Sequence, residues 1–238
     1  MKIVMNQVEL LDNKSYEDIL DKIETAGRTC YKSTKKDDIK AKEQFVRGII
    51  KSGHESVIEH ECLTFKVITD RAIANEIVRH RLSSYSQQST RYVDLSDLRV
   101  ILPIGIEDYS VVYAMVDALQ QCEEAYKKLL ELGATKDVAR SVLPLATVTE
   151  IIMTMNFRSL RHFLKLRLHK SAHANIREIA RKIYDIVKEN YPVFVEDLGD
   201  LRWRLILQSL ISYSQTVWTM SNQKNINYKS QIYNMLCF

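Results

Sequence analysis

The chain has 238 residues, and its 46% hydrophobic content supplies enough apolar surface for a buried core in one large or two small domains. Its formal net charge is only +4, from 34 basic and 30 acidic side chains. This balance argues against a protein that coats nucleic acid by charge alone, and it favours a localised anion-binding site.

The sequence carries no mark of export or of membrane insertion. The N-terminal segment lacks the uninterrupted apolar run and small-residue cleavage site of a signal peptide, and no stretch has the length and apolarity of a transmembrane span. The four cysteines are far apart and form no CxxC pair, which argues against a disulfide framework or a thiolate zinc site. They are Cys30, Cys62, Cys122 and Cys237. We therefore expect a cytoplasmic protein that does not contact membranes.

The beginning of the chain predicts one strand and two helices. Residues 2–10 alternate between apolar and polar side chains, as an opening strand does. A helix follows that Ser15 caps and Gly27 ends, and an amphipathic helix then runs to Gly53.

A second strand leads directly into the most polar part of the chain. Residues 61–70 show β-branched alternation, and Asp70 is the predicted N-cap of a helix over residues 71–82. One face of this strand holds Leu63, Phe65 and Val67. The basic triplet at residues 79–81 is therefore expected on the last turns of a helix.

The remaining elements alternate irregularly. We expect a long helix (107–132), a short helix that stops before Pro144, a strand rich in Thr, Ile and Met (146–157), and two further helices (158–168 and 175–191). The last helix has one apolar stripe of Ile176, Ile179, Ile183, Ile186 and Val187. Because the chain has neither a βαβ rhythm nor a GxGxxG turn, the predicted fold class is α+β.

The C-terminal segment, residues 199–238, differs from the rest. Residues 203–218 could form an amphipathic helix, whereas residues 219–236 are polar and rich in Asn and Gln. We interpret the segment as a terminal helix and a tail without chemistry of its own.

Residues 79–95, RHRLSSYSQQSTRYVDL, are dense in cations and hydroxyl groups. Guanidinium groups present planar pairs of N–H donors, and Ser and Thr add short hydrogen bonds, so the segment suits a phosphate. A solvated charged face is the ordinary alternative. It is weaker here, because Glu76, Arg79 and His80 would share one helix face that leads directly into the hydroxyl-rich stretch.

Three further polar clusters have simpler explanations when taken alone. His54 and His60 lie among acidic residues, but no HExxH spacing joins them, so we expect no metal site. Residues 156–173 are basic, and they could equally be an ordinary amphipathic helix. Arg140 by itself would be assigned to the surface.

Together, these segments resemble the flavin-dependent thymidylate synthases. The pattern RHR, seven residues, Ser, one residue, Arg is met by residues 79–81 with Ser89 and Arg91. A GHE triplet precedes it, and VARxVLP and NxRSL…FLxLR segments follow in the family's order. The resemblance covers residues 1–198 and leaves residues 199–238 outside it.

The resemblance implies a fold, a reaction and an assembly. The fold would be a single α+β domain in which helices flank a mostly antiparallel sheet. The enzyme would convert dUMP to dTMP with FAD, taking carbon from 5,10-methylenetetrahydrofolate and reducing equivalents from NADPH. Active sites of the family lie between the subunits of a homotetramer.

The resemblance also assigns residues to ligands, and Arg167 is the predicted catalytic residue because it matches the position that engages the uracil ring. Matches to dUMP-binding positions are Glu76, Ile77, Val78, Arg79, Gln87, Gln88, Ser89, Thr90, Arg91, Arg140 and Arg167. Matches to FAD-binding positions are Ser56, Arg79, His80, Arg81, Leu82, Gln87, Asn156, Phe157, Arg158 and His162.

The chain departs from some family members at several of these positions. Ser86 and Gln87 stand where some members have Asn and Glu, and His162 stands where some have Asn. The neutral Gln87 leaves its own role open. Glu76 stands where some have Gln, and its charge requires either a neighbouring arginine or a sugar hydroxyl as partner.

The cysteines predict a reaction without a protein nucleophile. Activating a thiolate requires cationic or helix-terminal surroundings, but Cys62 and Cys122 each stand beside glutamates that should raise the thiol pKa. Cys30 has basic neighbours and matches a flavin-side position. His80, flanked by two arginines, should resist becoming a cation and so would not activate Ser89 as a base.

Two other functions remain open. One is a nucleic-acid-binding module that uses the RHR segment as its contact surface, although the modest net charge argues against it. The other is an FAD protein of the same fold that does not make dTMP.

Overall fold

The computed structural model describes residues 1–30, 32–34 and 37–198. In chain order the strands are β1 (Lys2–Ile3), β2 (Gln7–Leu10), β3 (Cys62–Asp70), β4 (Ser83–Gln87), β5 (Arg99–Val100) and β6 (Val148–Asn156). The helices are α1 (Tyr16–Thr29), α2 (Ile39–Lys51), α3 (Arg71–Ile77), α4 (Tyr109–Glu131), α5 (Lys136–Ala139), α6 (Phe157–Arg167) and α7 (Ala174–Asn190). Short 3₁₀ turns span Glu55–His60, Arg140–Val142, Pro192–Phe194 and Glu196–Leu198.

The main sheet contains four antiparallel strands in the order β2-β3-β6-β4. The long strands β3 and β6 pair along their whole length, from Cys62 opposite Asn156 to Asp70 opposite Val148. Each long strand runs directly into a helix, β3 into α3 and β6 into α6. The fold is therefore α+β, as the sequence predicts. Helices α3 and α6 begin at opposite ends of the β3–β6 strand pair.

One face of the sheet packs on the helices to form the main core. The predicted inward face of β3, Leu63, Phe65 and Val67, is fully buried. Ile151, Met153 and Met155 of β6 lie in the same cluster. The apolar stripe of α7 is confirmed, with Ile186 only partly buried at its edge.

The opening strand is divided in two, which corrects the prediction of one continuous strand. β1 pairs in parallel with β5, whereas β2 pairs with β3 in the main sheet. Asn6 lies between them, and its buried side chain bonds Glu178 at 2.7 Å and Thr69 at 2.9 Å. These bonds satisfy the amide where the chain passes from one sheet to the other.

Gly27 does not end α1, which continues to Thr29. The glycine is buried, and a Cβ at this position would lie 2.7 Å from the ring of Phe45. Close helix packing therefore explains this glycine better than helix termination does. Ser15 and Asp70 cap their helices as predicted, with side chains that accept from the N–H groups of Asp18 and Ile73.

A buried arginine of α6 binds residues at the end of the described chain. Arg161 donates to both carboxylate oxygens of Asp197, at 2.6 and 2.7 Å, and to the carbonyl oxygen of Phe194 at 2.6 Å. Glu55 approaches the same guanidinium at 3.5 Å. The predicted C-terminal helix and tail, residues 199–238, lie outside the described residues.

No helix in the described ranges has both the length and the apolarity needed to cross a bilayer.

Candidate active site

The RHR triplet lies in a turn and not on a helix, which corrects the prediction for residues 71–82. Helix α3 ends at Ile77, and strand β4 begins at Ser83. The hydroxyl of Tyr85 lies 3.0 Å from the carbonyl oxygen of Ile77 and 2.6 Å from that of His80. Tyr85 therefore holds the start and the middle of the turn from within the neighbouring strand.

The three basic residues of this turn differ in their exposure to solvent. His80 is buried, whereas Arg79 and Arg81 are exposed and form no ion pair with a described carboxylate. Leu82 follows with a φ of 61° and a side chain that is 82% exposed. A positive φ is uncommon for a residue with a branched side chain, so the turn is held in a strained conformation by its surroundings.

Arg167, at the end of α6, reaches this turn from a distant part of the chain. Its Nε donates to Nε2 of His80 at 2.8 Å, and its Nη1 donates to a carboxylate oxygen of Glu76 at 2.7 Å. Its Nη2 donates to the backbone carbonyl of Glu76 at 3.1 Å. The expectation that an arginine offsets the charge of Glu76 is confirmed by this pair.

The hydrogen bond from Arg167 determines the protonation of His80. Because Nε2 accepts from a permanently charged guanidinium, the ring is neutral and carries its proton on Nδ1. Burial, and next the charge of Arg167, lowers the pKa of His80 to about 4. The predicted direction is confirmed, but the neighbouring cation is Arg167 and not the arginines of the triplet.

The His80 ring also has aromatic neighbours. Its centroid lies 4.9 Å from Phe163 and 6.2 Å from His162, both in edge-on geometry. His162 thereby joins the cluster formed by Glu76, His80 and Arg167, which we call the uracil cluster because it contains the predicted uracil-binding arginine.

A second cluster contains the residues that follow β4. The carboxylate of Asp137 forms ion pairs with Arg91 at 3.0 Å and with Arg140 at 3.1 Å, so one carboxylate pairs with two arginines. Arg140 also lies 3.5 Å from the hydroxyl of Thr90. We call Thr90, Arg91, Asp137 and Arg140 the anion cluster. Arg140, which appears isolated in the sequence, is part of it.

Three predicted dUMP-binding residues lie beside this cluster. The hydroxyl of Ser89 accepts from the backbone N–H of Arg91 at 3.2 Å. Gln87 donates to the hydroxyl of Thr149 at 3.3 Å. The side-chain oxygen of Gln88 is buried without a hydrogen-bond partner among the described residues, so it is a candidate acceptor for a bound ligand.

The remaining predicted cofactor residues lie around the start of α6. Asn156 caps this helix by accepting from the N–H of Ser159 at 2.8 Å. Arg158 is exposed and bonds Glu59 at 2.6 Å, on the same 3₁₀ turn that carries Ser56. Phe157 is fully buried and stacks on Phe194, so only its backbone can face a ligand.

The predicted dUMP residues Ile77 and Val78 stand at the end of α3. The side chain of Ile77 is fully buried, whereas that of Val78 is exposed. Val78 is the C-cap of the helix.

Cys62 has the unreactive character that the sequence predicts. Its thiol pKa is raised, first by burial and then by the charge of Glu61. Cys30, Cys62 and Cys122 are free thiols.

Sequence reasoning missed several residues that organise the site. Asp137 precedes Arg140 by three residues, and this helical spacing was a usable signal. Tyr85 and Thr149 gave none, because their roles depend on the pairing of β4 with β6.

The fold and the two clusters define an α+β protein with one polar site that joins the RHR turn to the end of α6 and a second that joins the residues after β4 to α5. The profile of the family described as "Thymidylate synthase complementing protein" matches residues 9–193. A flavin-dependent thymidylate synthase from Mycobacteroides abscessus is 38% identical over 177 residues, which cover 66% of this chain and 71% of the relative. One from Geobacter sulfurreducens is 36% identical over 184 residues, covering 73% and 79%. The chain belongs to the flavin-dependent thymidylate synthase family.

Solved structures agree on the fold. The UMP/dUMP methylase PolB from Streptomyces cacaoi, bound with 5-Br UMP, superposes with a TM-score of 0.72 at 23% identity. The alignment covers 84% of this chain and 97% of PolB. The same enzyme bound with 5-Br dUMP gives a TM-score of 0.68 at 26% identity, covering 82% and 96%.

Proposed function

We propose that this protein methylates dUMP to dTMP with FAD as cofactor, 5,10-methylenetetrahydrofolate as carbon donor and NADPH as reductant. The observation that carries the proposal is the placement of Arg167, whose guanidinium is held between neutral His80 and Glu76. His80, which bonds Arg167, is the central residue of the family's RHR pattern. Family membership and the dUMP methylase activity named for a structural neighbour support the same reaction.

Arg167 is suited to bind and polarise a uracil ring. All three of its guanidinium nitrogens bond to His80 or Glu76, so little conformational entropy remains to be lost when a ligand arrives. One N–H on each Nη remains free to donate to a uracil oxygen. Its charge is permanent, and a fixed cation stabilises negative charge that develops on a uracil oxygen during reaction. Because His80 is neutral, it orients Arg167 without adding a competing positive charge.

The anion cluster is suited to the phosphate of dUMP. Arg91 and Arg140 already converge on Asp137, so both guanidinium groups point toward one place. Ser89 and Thr90 add hydroxyl donors. The unused acceptor oxygen of Gln88 suits a sugar hydroxyl of the nucleotide and not its phosphate. On this assignment Glu76, Ile77 and Val78 line the nucleoside, and Gln87 lies between nucleotide and cofactor.

The residues present fit an FAD site. Arg79 and Arg81 are exposed and lack ion pairs with described carboxylates, so they can bind a pyrophosphate. The other residues assigned to FAD are Ser56, His80, Leu82, Gln87, Asn156, Phe157, Arg158 and His162. FAD, when bound, supplies the hydride chemistry that no amino-acid side chain provides.

No side chain of the chain acts as nucleophile in this proposal. The raised pKa of Cys62 keeps its thiol protonated. Ser89 bonds a backbone N–H, and no described histidine or carboxylate hydrogen-bonds its hydroxyl as a base would.

The proposed assembly is a homotetramer in the cytoplasm, with active sites between subunits. Residues 1–198 would form the catalytic domain, and residues 199–238 would be a C-terminal segment outside it.

A first test of the proposed function is the absorption spectrum of the purified protein. Bound FAD makes the protein yellow, and NADPH should bleach the flavin absorption in the absence of oxygen. A colourless protein that shifts the mobility of DNA or RNA would favour the nucleic-acid-binding alternative.

A further inference from the structure

Arg71 is an arginine without a counter-ion, next to the anion cluster. It is the first residue of α3, where its backbone N–H donates to the carbonyl oxygens of Leu145 and Thr147 at 3.0 and 3.1 Å. Its half-buried guanidinium donates to the hydroxyl of Thr149 at 3.4 Å. Within the described ranges no carboxylate pairs with it.

The charge around Arg71 is unbalanced. Burial, and next the charge of Arg140, lowers the pKa of Arg71, so these two guanidinium groups repel each other. Arg140 and Arg91 share the single carboxylate of Asp137. Three guanidinium groups and one carboxylate leave a formal charge of +2 on these four side chains, which is the charge that a phosphate dianion neutralises.

Arg71 also shares a contact with a residue already assigned to the nucleotide. The hydroxyl of Thr149, on β6, accepts from Gln87 at 3.3 Å and from Arg71 at 3.4 Å. Thr149 itself is fully buried and fixed in the sheet, so it aligns both donors from a rigid strand.

The geometry points to Arg71 as a further binding residue for the 5′-phosphate of the nucleotide, acting together with Arg91 and Arg140. This inference rests on the proposed function, which supplies the nucleotide. A partly desolvated guanidinium without a counter-ion is costly, and an arriving dianion would remove that cost. Arg71 would therefore help the site to select a nucleotide over the corresponding nucleoside.

The test compares the binding of dUMP and of deoxyuridine by isothermal titration calorimetry to the FAD-loaded protein. Arg71→Gln should weaken dUMP binding by about 10- to 100-fold, since a charge-assisted hydrogen bond is lost, and should leave deoxyuridine binding unchanged. Arg177→Gln is the matched control. Arg177 likewise has no ion pair among the described residues, and it donates to the backbone carbonyl of Lys170 at 2.8 Å.

The outcomes separate this inference from the proposed function. A parent protein that binds no dUMP would overturn both. A parent that binds dUMP, with an Arg71→Gln variant that binds it equally well, would overturn the inference alone. Loss of FAD with unchanged dUMP affinity would instead place Arg71 at the cofactor phosphates and contradict the assignment. If Arg71→Gln does not fold, Arg71→Lys retains the charge without the paired donors, and a smaller loss confined to dUMP is expected.

Discussion

Nε of Arg167 lies 2.8 Å from Nε2 of His80, so a permanent cation donates to an imidazole that must be neutral to accept. The same guanidinium holds Glu76 at 2.7 Å. This relationship links the RHR turn to the end of α6 across 87 residues of sequence. Several expected outcomes depend on it.

The buried neutral His80 should make stability depend on pH. A histidine in the unfolded chain titrates near 6.5, whereas folded His80 titrates at about 4, so between these values the unfolded state binds more protons. The free energy of unfolding should therefore rise with pH from about 4 to 6.5, by up to about 3 kcal/mol from this residue. Urea unfolding of His80→Gln should show a flatter pH dependence than the parent. His60→Gln, at an exposed position, should keep the parent's slope; equal slopes in all three proteins would contradict the account.

Replacing Arg167 should remove catalysis and leave the cofactor bound. Arg167→Ala deletes the cation proposed to face the uracil, and losing one partner of a developing anion costs about 2.7–4 kcal/mol, on the order of a hundredfold or more in rate. Bound flavin, measured by absorbance, should stay near the parent level because the partner is the pyrimidine. Near-normal dTMP formation by this variant would refute the role given to Arg167.

Ser89→Ala distinguishes a binding serine from a nucleophile. Its loss should weaken dUMP binding by about 0.5–1.5 kcal/mol, or up to about 3 kcal/mol if the phosphate charge strengthens the hydrogen bond. Turnover should survive at saturating dUMP, and mass spectrometry of the parent should find no nucleotide on Ser89. An inactive variant with normal ligand binding, or an adduct on Ser89, would show that the mechanism uses a protein nucleophile.

The ion pair between buried Arg161 and Asp197 should respond unequally to loss of either member's charge. Asp197→Asn leaves a guanidinium that is only 2% exposed without its main counter-ion, and such a loss typically costs about 3–5 kcal/mol. Arg161→Met should cost less, because methionine fills the volume and Asp197 remains half exposed to water. Thermal or urea unfolding of the two variants tests this order. The reverse order would mean that packing, and not the charge pair, fixes this end of the chain.

Strong periodicity explains which elements could be read from the sequence. β3, β6 and α7 carry long regular patterns, and their inward faces, such as Leu63, Phe65 and Val67, are buried as expected. β4 was missed because Ser83–Gln87 has little β-branched character and owes its conformation to pairing with β6.

The site was less accessible to sequence reasoning than the fold. Motif residues could be named, but their grouping depends on contacts between distant segments, as between Arg167 and Glu76. The turn at His80 is fixed by Tyr85, whose hydroxyl contacts two backbone carbonyls that no pattern identifies. A role in the site can be assigned to Asp137 and Arg71 only from the structure, because it depends on their proximity to Arg140.

Release of tritium from dUMP labelled at C5 tests the central claim most directly, because methylation at C5 must displace that hydrogen. With FAD, 5,10-methylenetetrahydrofolate and NADPH present, the account predicts tritium release together with an equal amount of dTMP, and loss of both in Arg167→Ala. A yellow, FAD-loaded protein that binds dUMP yet forms no dTMP and releases no tritium under these conditions would contradict it.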